Sequence, residues 1–121
     1  MTIDRLIELA SASDKALAPS DIEAAAQQLG GSADDVCDAF AKRVAHGFLR
    51  GEYSYAAADS AMNALFGFAY PEAGIGLPRL ARQVYEAFDE GEYVHAGDPV
   101  DFHGEARTRA LLTRISDLAE A

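Results

Sequence analysis

The chain has 121 residues, half of them hydrophobic (50%), which suits one globular domain able to bury roughly two thirds of its unfolded surface. Twenty acidic residues against ten basic ones give a formal net charge of -10, which repels nucleic-acid phosphates and anionic lipid and makes cationic proteins the better class of partner. A single cysteine, Cys37, excludes an internal disulfide. Asp4, Arg5 and Glu8 interrupt any leader-like apolar run, and the stretch from Ala61 to Tyr70 falls far short of the roughly 20 residues a membrane span requires, so the expectation is a soluble cytoplasmic protein.

Apolar residues recur at helical spacing almost throughout, which predicts an all-α, single-domain bundle of about five to six helices over residues 1–121. The first helix runs from Ile3 to Ser11 with Ile3, Leu6, Ile7 and Ala10 inward. A second follows Pro19, where Ser20 and Glu23 read as a capping box, and stops at Gly30 and Gly31. Ser32 is the expected N-cap of a third helix, with Asp34 and Asp35 in its first turn, where the helix dipole favours anions. Val36, Phe40, Val44 and Phe48 form its apolar stripe before Gly51. Ser54 caps a fourth helix carrying Tyr55, Ala58, Met62, Leu65, Phe66 and Ala69, and Pro71 ends it; the stretch to Gly76 reads as a glycine-containing loop. A fifth helix starts near Pro78, buries Leu80, Val84 and Phe88, and ends at Gly91. Gly91 to Gly104 reads as irregular, and a sixth helix carries Leu111, Leu112, Ile115 and Leu118.

A weak internal echo joins the third and fifth helices. Ala41, Val44, Phe48, Gly51, Glu52, Tyr53 and Ala56 recur forty positions on as Ala81, Val84, Phe88, Gly91, Glu92, Tyr93 and Ala96. Val and Phe four apart share a helix face, and a glycine three residues later suits the left-handed position past a helix end. A tyrosine two residues beyond that glycine is expected to fold back over the Val/Phe stripe, so packing alone accounts for the repeat.

Candidate sites are few. Ala26, Gly30 and Val36 fit helix-turn-helix spacing, yet the second helix of that unit opens with Ala33, Asp34 and Asp35 and carries Asp38 on its next turn, where DNA recognition needs Arg, Lys, Asn or Gln. The motif is therefore read as packing, with no nucleic-acid partner. His95, Asp98, Asp101 and His103 are metal-competent side chains in a loop with Gly97 and Pro99, but their spacing matches no defined site, and neither metal nor cofactor is assigned. Asp35 and Asp38 disfavour a thiolate at Cys37, and His46 lies on the opposite side of the same helix. Glu52 and Glu92 invite comparison with paired acid/base carboxylates, but their places beside helix ends favour charges that face water. Serine elbows, P-loops and dinucleotide-binding glycine patterns are absent.

The stretch from Phe48 to Tyr55, FLRGEYSY, followed by an apolar helix through Phe66, resembles the FL-x-G-x-x-S lead-in to a helix found in small acidic immunity proteins of the colicin D type. Ala87 to Tyr93, AFDEGEY, is also similar to a signature of small helical bacterial proteins. The first resemblance implies a protein that neutralises a cationic nuclease toxin by occupying its basic cleft. Charge alone points to the surface: between Gln83 and Ala106 there is no Lys or Arg, while Glu86, Asp89, Glu90, Glu92, Asp98, Asp101 and Glu105 fall within it. The expected partner-binding residues are Glu86, Asp89, Glu90, Glu92, Tyr93, Asp98, Asp101 and Phe102, with the aromatics supplying the buried anchor. The expected function is a non-enzymatic module that binds a basic protein. A structural or oligomerising protein, or a small metal-dependent enzyme using the 95–103 loop, are the alternatives.

Overall fold

The computed structural model describes residues 1–12, 15–70, 76–92 and 104–118, and all regular structure among them is helical. The elements are α1 (Ile3–Ser11), α2 (Pro19–Leu29), α3 (Ala33–Leu49), α4 (Tyr55–Ala69), α5 (Arg79–Gly91) and α6 (Gly104–Leu112), followed by a 3₁₀ turn at Ser116–Leu118. α3 is the hub: it packs against α1, α2, α4, α5 and the 3₁₀ turn, while α6 lies on α5 and α4 bridges α1 and α5.

Most boundaries follow from local chemistry. The Thr2 hydroxyl accepts from Arg5 N–H at 3.1 Å to start α1. Ser32 and Asp35 form a reciprocal capping box on α3, at 3.2 and 2.9 Å, and Ser54 caps α4 through Ala57 N–H. The box expected from Ser20 and Glu23 does not form. Pro19 itself occupies the first helical turn, so Ala18 becomes the cap residue and Ser20 sits inside the helix, where it has no terminal N–H to meet.

α5 has no capping side chain of its own because Pro78 stands at its N-cap. Its terminus is met instead by Asp38 of α3, which accepts from Ala81 N–H at 2.9 Å. Asp38 therefore belongs to the scaffold. A carboxylate at a helix N-terminus satisfies an orphan donor and complements the dipole. Asp38→Ala is expected to cost about 1–2 kcal/mol in chemical denaturation, with Asp38→Asn recovering the hydrogen-bonded part. At the other end of α3, Arg109 donates to the Leu49 carbonyl at 3.1 Å and lies 4.7 Å from the centre of the Phe48 ring.

The echo has a packing explanation in part. Val44, Phe48, Val84 and Phe88 are all buried, and the two Phe rings meet edge-to-face at 5.4 Å, so the repeated stripes pack against each other. The repeated glycines differ. Gly51 has φ 80° and caps α3 in the left-handed region, whereas Gly91 is the last residue of α5 with no positive φ. A Cβ at Gly91 would run into Thr108 Oγ1, the Tyr55 hydroxyl and the Gly104 carbonyl, and a Cβ at Gly104 would strike the Gly91 backbone. Gly91 is there for close approach of α5 to α6. Tyr53 does not cover the Val/Phe stripe either: it folds over Gly47 with the Arg43 guanidinium 5.3 Å from its ring centre. Tyr55 takes that place, 5.9 Å from Phe48 and 5.8 Å from Phe88, its hydroxyl donating to the Phe88 carbonyl. Tyr93 lies outside the described residues.

Leu80 is only half-buried, and α6 stops at Leu112 short of the expected span. The 3₁₀ turn then returns Leu118 to the core, where its carbonyl lies 2.9 Å from His46 Nε2. A carbonyl can only accept, so Nε2 is the protonated nitrogen of His46.

Candidate binding surface on α5

α5 buries Ala81, Val84, Ala87, Phe88 and Gly91 along one face, which leaves two flanks on either side of it. Gln83, Glu86 and Glu90 recur at helical spacing on the flank toward α6 and Tyr85 and Glu92 on the flank toward α4, with Asp89 between them bordering both. The acidic run therefore wraps around the helix.

On the α6 side, Gln83, Glu86, Ala87, Asp89, Glu90, Leu111 and Ile115 line an open groove of about 320 Å³. One wall carries carboxylates and the other branched apolar side chains. No Lys or Arg is among these lining residues.

On the α4 side, the two helices form a seam with an acidic end and an aromatic end. Asn63 donates to Glu92 at 2.9 Å and lies 3.5 Å from Asp59. Further along, the Tyr85 ring stacks on Phe66 at 4.3 Å and Phe66 on Tyr70 at 4.5 Å. Asp59 Oδ1 is shut off from solvent with no hydrogen-bond partner. Burial, followed by the hydrogen bond to Glu92 and the charges of Glu92 and Asp89, pushes the Asp59 carboxyl up to about 8. A proton shared between Asp59 and Glu92 reconciles the partnerless oxygen with its acidic neighbour. Burial and then Glu92 also raise Asp89, and burial with Asp89, Glu92 and Asp59 raises the Tyr85 hydroxyl.

The sign of the pH effect follows. Asp59 keeps its proton up to about pH 8 when folded but loses it near its ordinary 3.8 when unfolded, so the folded state holds the extra proton between those values and stability falls as pH rises through that window. Asp59→Asn is expected to flatten this slope and to raise stability at the alkaline end by about 1–2 kcal/mol, a figure reduced for partial solvent screening. Urea denaturation at both ends of the window measures it. An unchanged slope would mean that the three carboxylates do not interact.

Of the expected partner-binding residues, Glu86, Asp89, Glu90 and Glu92 are thus set on two flanks of one helix, whereas Tyr93, Asp98, Asp101 and Phe102 lie outside the described residues, as do His95 and His103. Asp59, Asn63, Phe66 and Tyr70 join the surface without having been expected there. Their signal was present in the four- and three-residue spacing of 59, 63, 66 and 70 along α4, but only the pairing of α4 with α5 gives it meaning. Glu52 and Glu92 do not form a pair: Arg43 holds Glu52 at 2.7 Å and Asp4 at 3.1 Å, beside a second groove lined by Ile7, Glu8 and Tyr53. Cys37 is buried and its thiol is pushed up to about 12, first by burial and then by Asp34 and Asp38. Alongside Asp38, the acid acting there is Asp34 and not the expected Asp35. Among the described residues no group of three or more His, Cys, Asp or Glu has the arrangement of a metal site, and no helix is long and apolar enough to cross a membrane.

The fold and surface define an all-helical bundle with an acidic, groove-bearing helix. Comparison with family models, curated proteins and solved structures finds no match to this chain.

Proposed function

We propose that this chain is a non-enzymatic binding module that recognises a basic protein partner through α5. The observation that carries the reading is the α5–α6 groove, in which Glu86, Asp89 and Glu90 face Leu111 and Ile115 with no cation among the lining residues. Such a groove suits a segment that presents Lys or Arg beside an apolar side chain: the carboxylates steer encounter and fix register, and the apolar wall supplies the desolvated contact that holds the complex. Occupation of a toxin's basic cleft, as the resemblance to immunity proteins implies, is one form this activity takes.

Affinity capture from the native lysate with the wild-type chain and with Glu86→Lys/Glu90→Lys, followed by mass spectrometry, tests the proposal. The expected result is a basic protein that is retained by the wild type and lost from the charge-reversed variant, whose fold is checked by circular dichroism. A partner that is not basic, or one held equally by both, would overturn it.

A further inference from the structure

The other flank of α5 offers a chemistry that the groove does not. Along the α4–α5 seam, the Tyr70–Phe66–Tyr85 stack leads into Asn63, Asp59, Asp89 and Glu92, with Tyr70 exposed (41%) and Phe66 and Tyr85 partly buried against the core. Asp89 follows Tyr85 by four residues on α5, Asn63 precedes Phe66 by three on α4, and Asn63 is bonded to Glu92 as Phe66 is stacked on Tyr85, so the aromatic and acidic parts form one continuous surface. A lysine ammonium would use the acids alone. A guanidinium uses both, because its weakly hydrated plane stacks on aromatic rings while its fork of N–H donors pairs with carboxylates.

We infer that the α4–α5 seam is an arginine-selective subsite, taking an arginine side chain of a basic protein segment against Tyr85, at the end of the aromatic stack, with its guanidinium at Asp89 and Glu92. The inference rests on the reading of α5 as the partner-facing helix, and charge complementarity identifies the occupant. Arginine is chosen over lysine because the stacked rings adjoin the acids.

The test uses the full chain and two peptide probes of equal length and charge, one arginine-rich and one lysine-rich, titrated while amide and aromatic NMR resonances are followed. The arginine peptide is expected to bind about three- to fivefold more tightly, the range that a cation–π contact supplies at an exposed site, and to shift the Asn63 side-chain amide and the Phe66 and Tyr85 rings. Tyr85→Leu should bring the ratio close to one while leaving the lysine peptide unaffected, and Tyr85→Phe should preserve it. Should Tyr85→Leu fail to fold, Asn63→Lys serves in its place, since Asn63 is exposed and a cation there opposes the guanidinium without disturbing the core. Equal binding of both peptides, with shifts confined to the Gln83, Glu86 and Leu111 side, would overturn the subsite and leave the binding module standing. Failure of both peptides to shift either flank would overturn the subsite, and the lysate capture then decides the fate of the module separately.

Discussion

Phe88→Ala is expected to destabilise the protein by about 3–5 kcal/mol, the range for emptying a large buried aromatic. Phe88 is 1% exposed and is met by Phe48 at 5.4 Å and Tyr55 at 5.8 Å, so the lost side chain leaves a cavity between α3, α4 and α5 that none of the three can close alone. Removing the ring also takes away aromatic contacts worth roughly 0.5–1.5 kcal/mol beyond burial. Because α5 bears the acidic surface, the same variant should weaken partner binding only through the folded fraction. Denaturation by urea with circular dichroism measures the stability loss. A value below about 1 kcal/mol would mean that the two halves of the echo do not pack as described.

Gly91→Ala is expected to cost about 2–3 kcal/mol, at the upper end of ordinary overpacking, although alanine is the better helix former by about 1 kcal/mol. The methyl would meet Thr108 Oγ1, the Tyr55 hydroxyl and, 2.7 Å away, the carbonyl oxygen of Gly104. The two side chains can yield, but the Gly104 backbone cannot without moving α6. Thr108 is fully buried and donates to the Ala87 carbonyl at 2.8 Å, so a shift of α6 would also break that bond. Gly51→Ala, with φ 80° and open space around its Cβ, should cost about 1–2 kcal/mol through backbone strain alone. The pair discriminates two reasons for one repeated letter. Equal costs at both positions would contradict the close α5–α6 crossing.

These two glycines also show how far the residues could be read without coordinates. Helix positions followed from periodicity because apolar spacing reports a buried face directly, and Ser32, Ser54 and Gly30 behaved as local chemistry dictates. Features that depend on a second element were not legible. Asp38 read as a charge hostile to DNA until α5 placed an uncapped terminus beside it, and Gly91 read as a helix stop until α6 crossed it. The Ser20 box failed for a local reason: proline at the first helical position competes for the same boundary and moves the cap back by two residues, from Ser20 to Ala18. The acidic surface divides likewise. The acidity of the run from Glu86 to Glu92 is a property of composition, but its division into a groove beside Leu111 and a seam beside Phe66 depends on which helices flank α5.

Carboxylates on α5 that steer and hold a basic protein, as proposed, set the rate at which the two associate. Stopped-flow mixing with the captured partner, at low and high salt, should show the association rate of the wild type falling by at least about tenfold as salt screens the encounter. Glu86→Lys/Glu90→Lys should be slow even at low salt, whereas Glu23→Lys, on the exposed side of α2, should match the wild type. An association rate that is insensitive to salt, or that is unchanged by reversing Glu86 and Glu90, would rule out steering by these carboxylates.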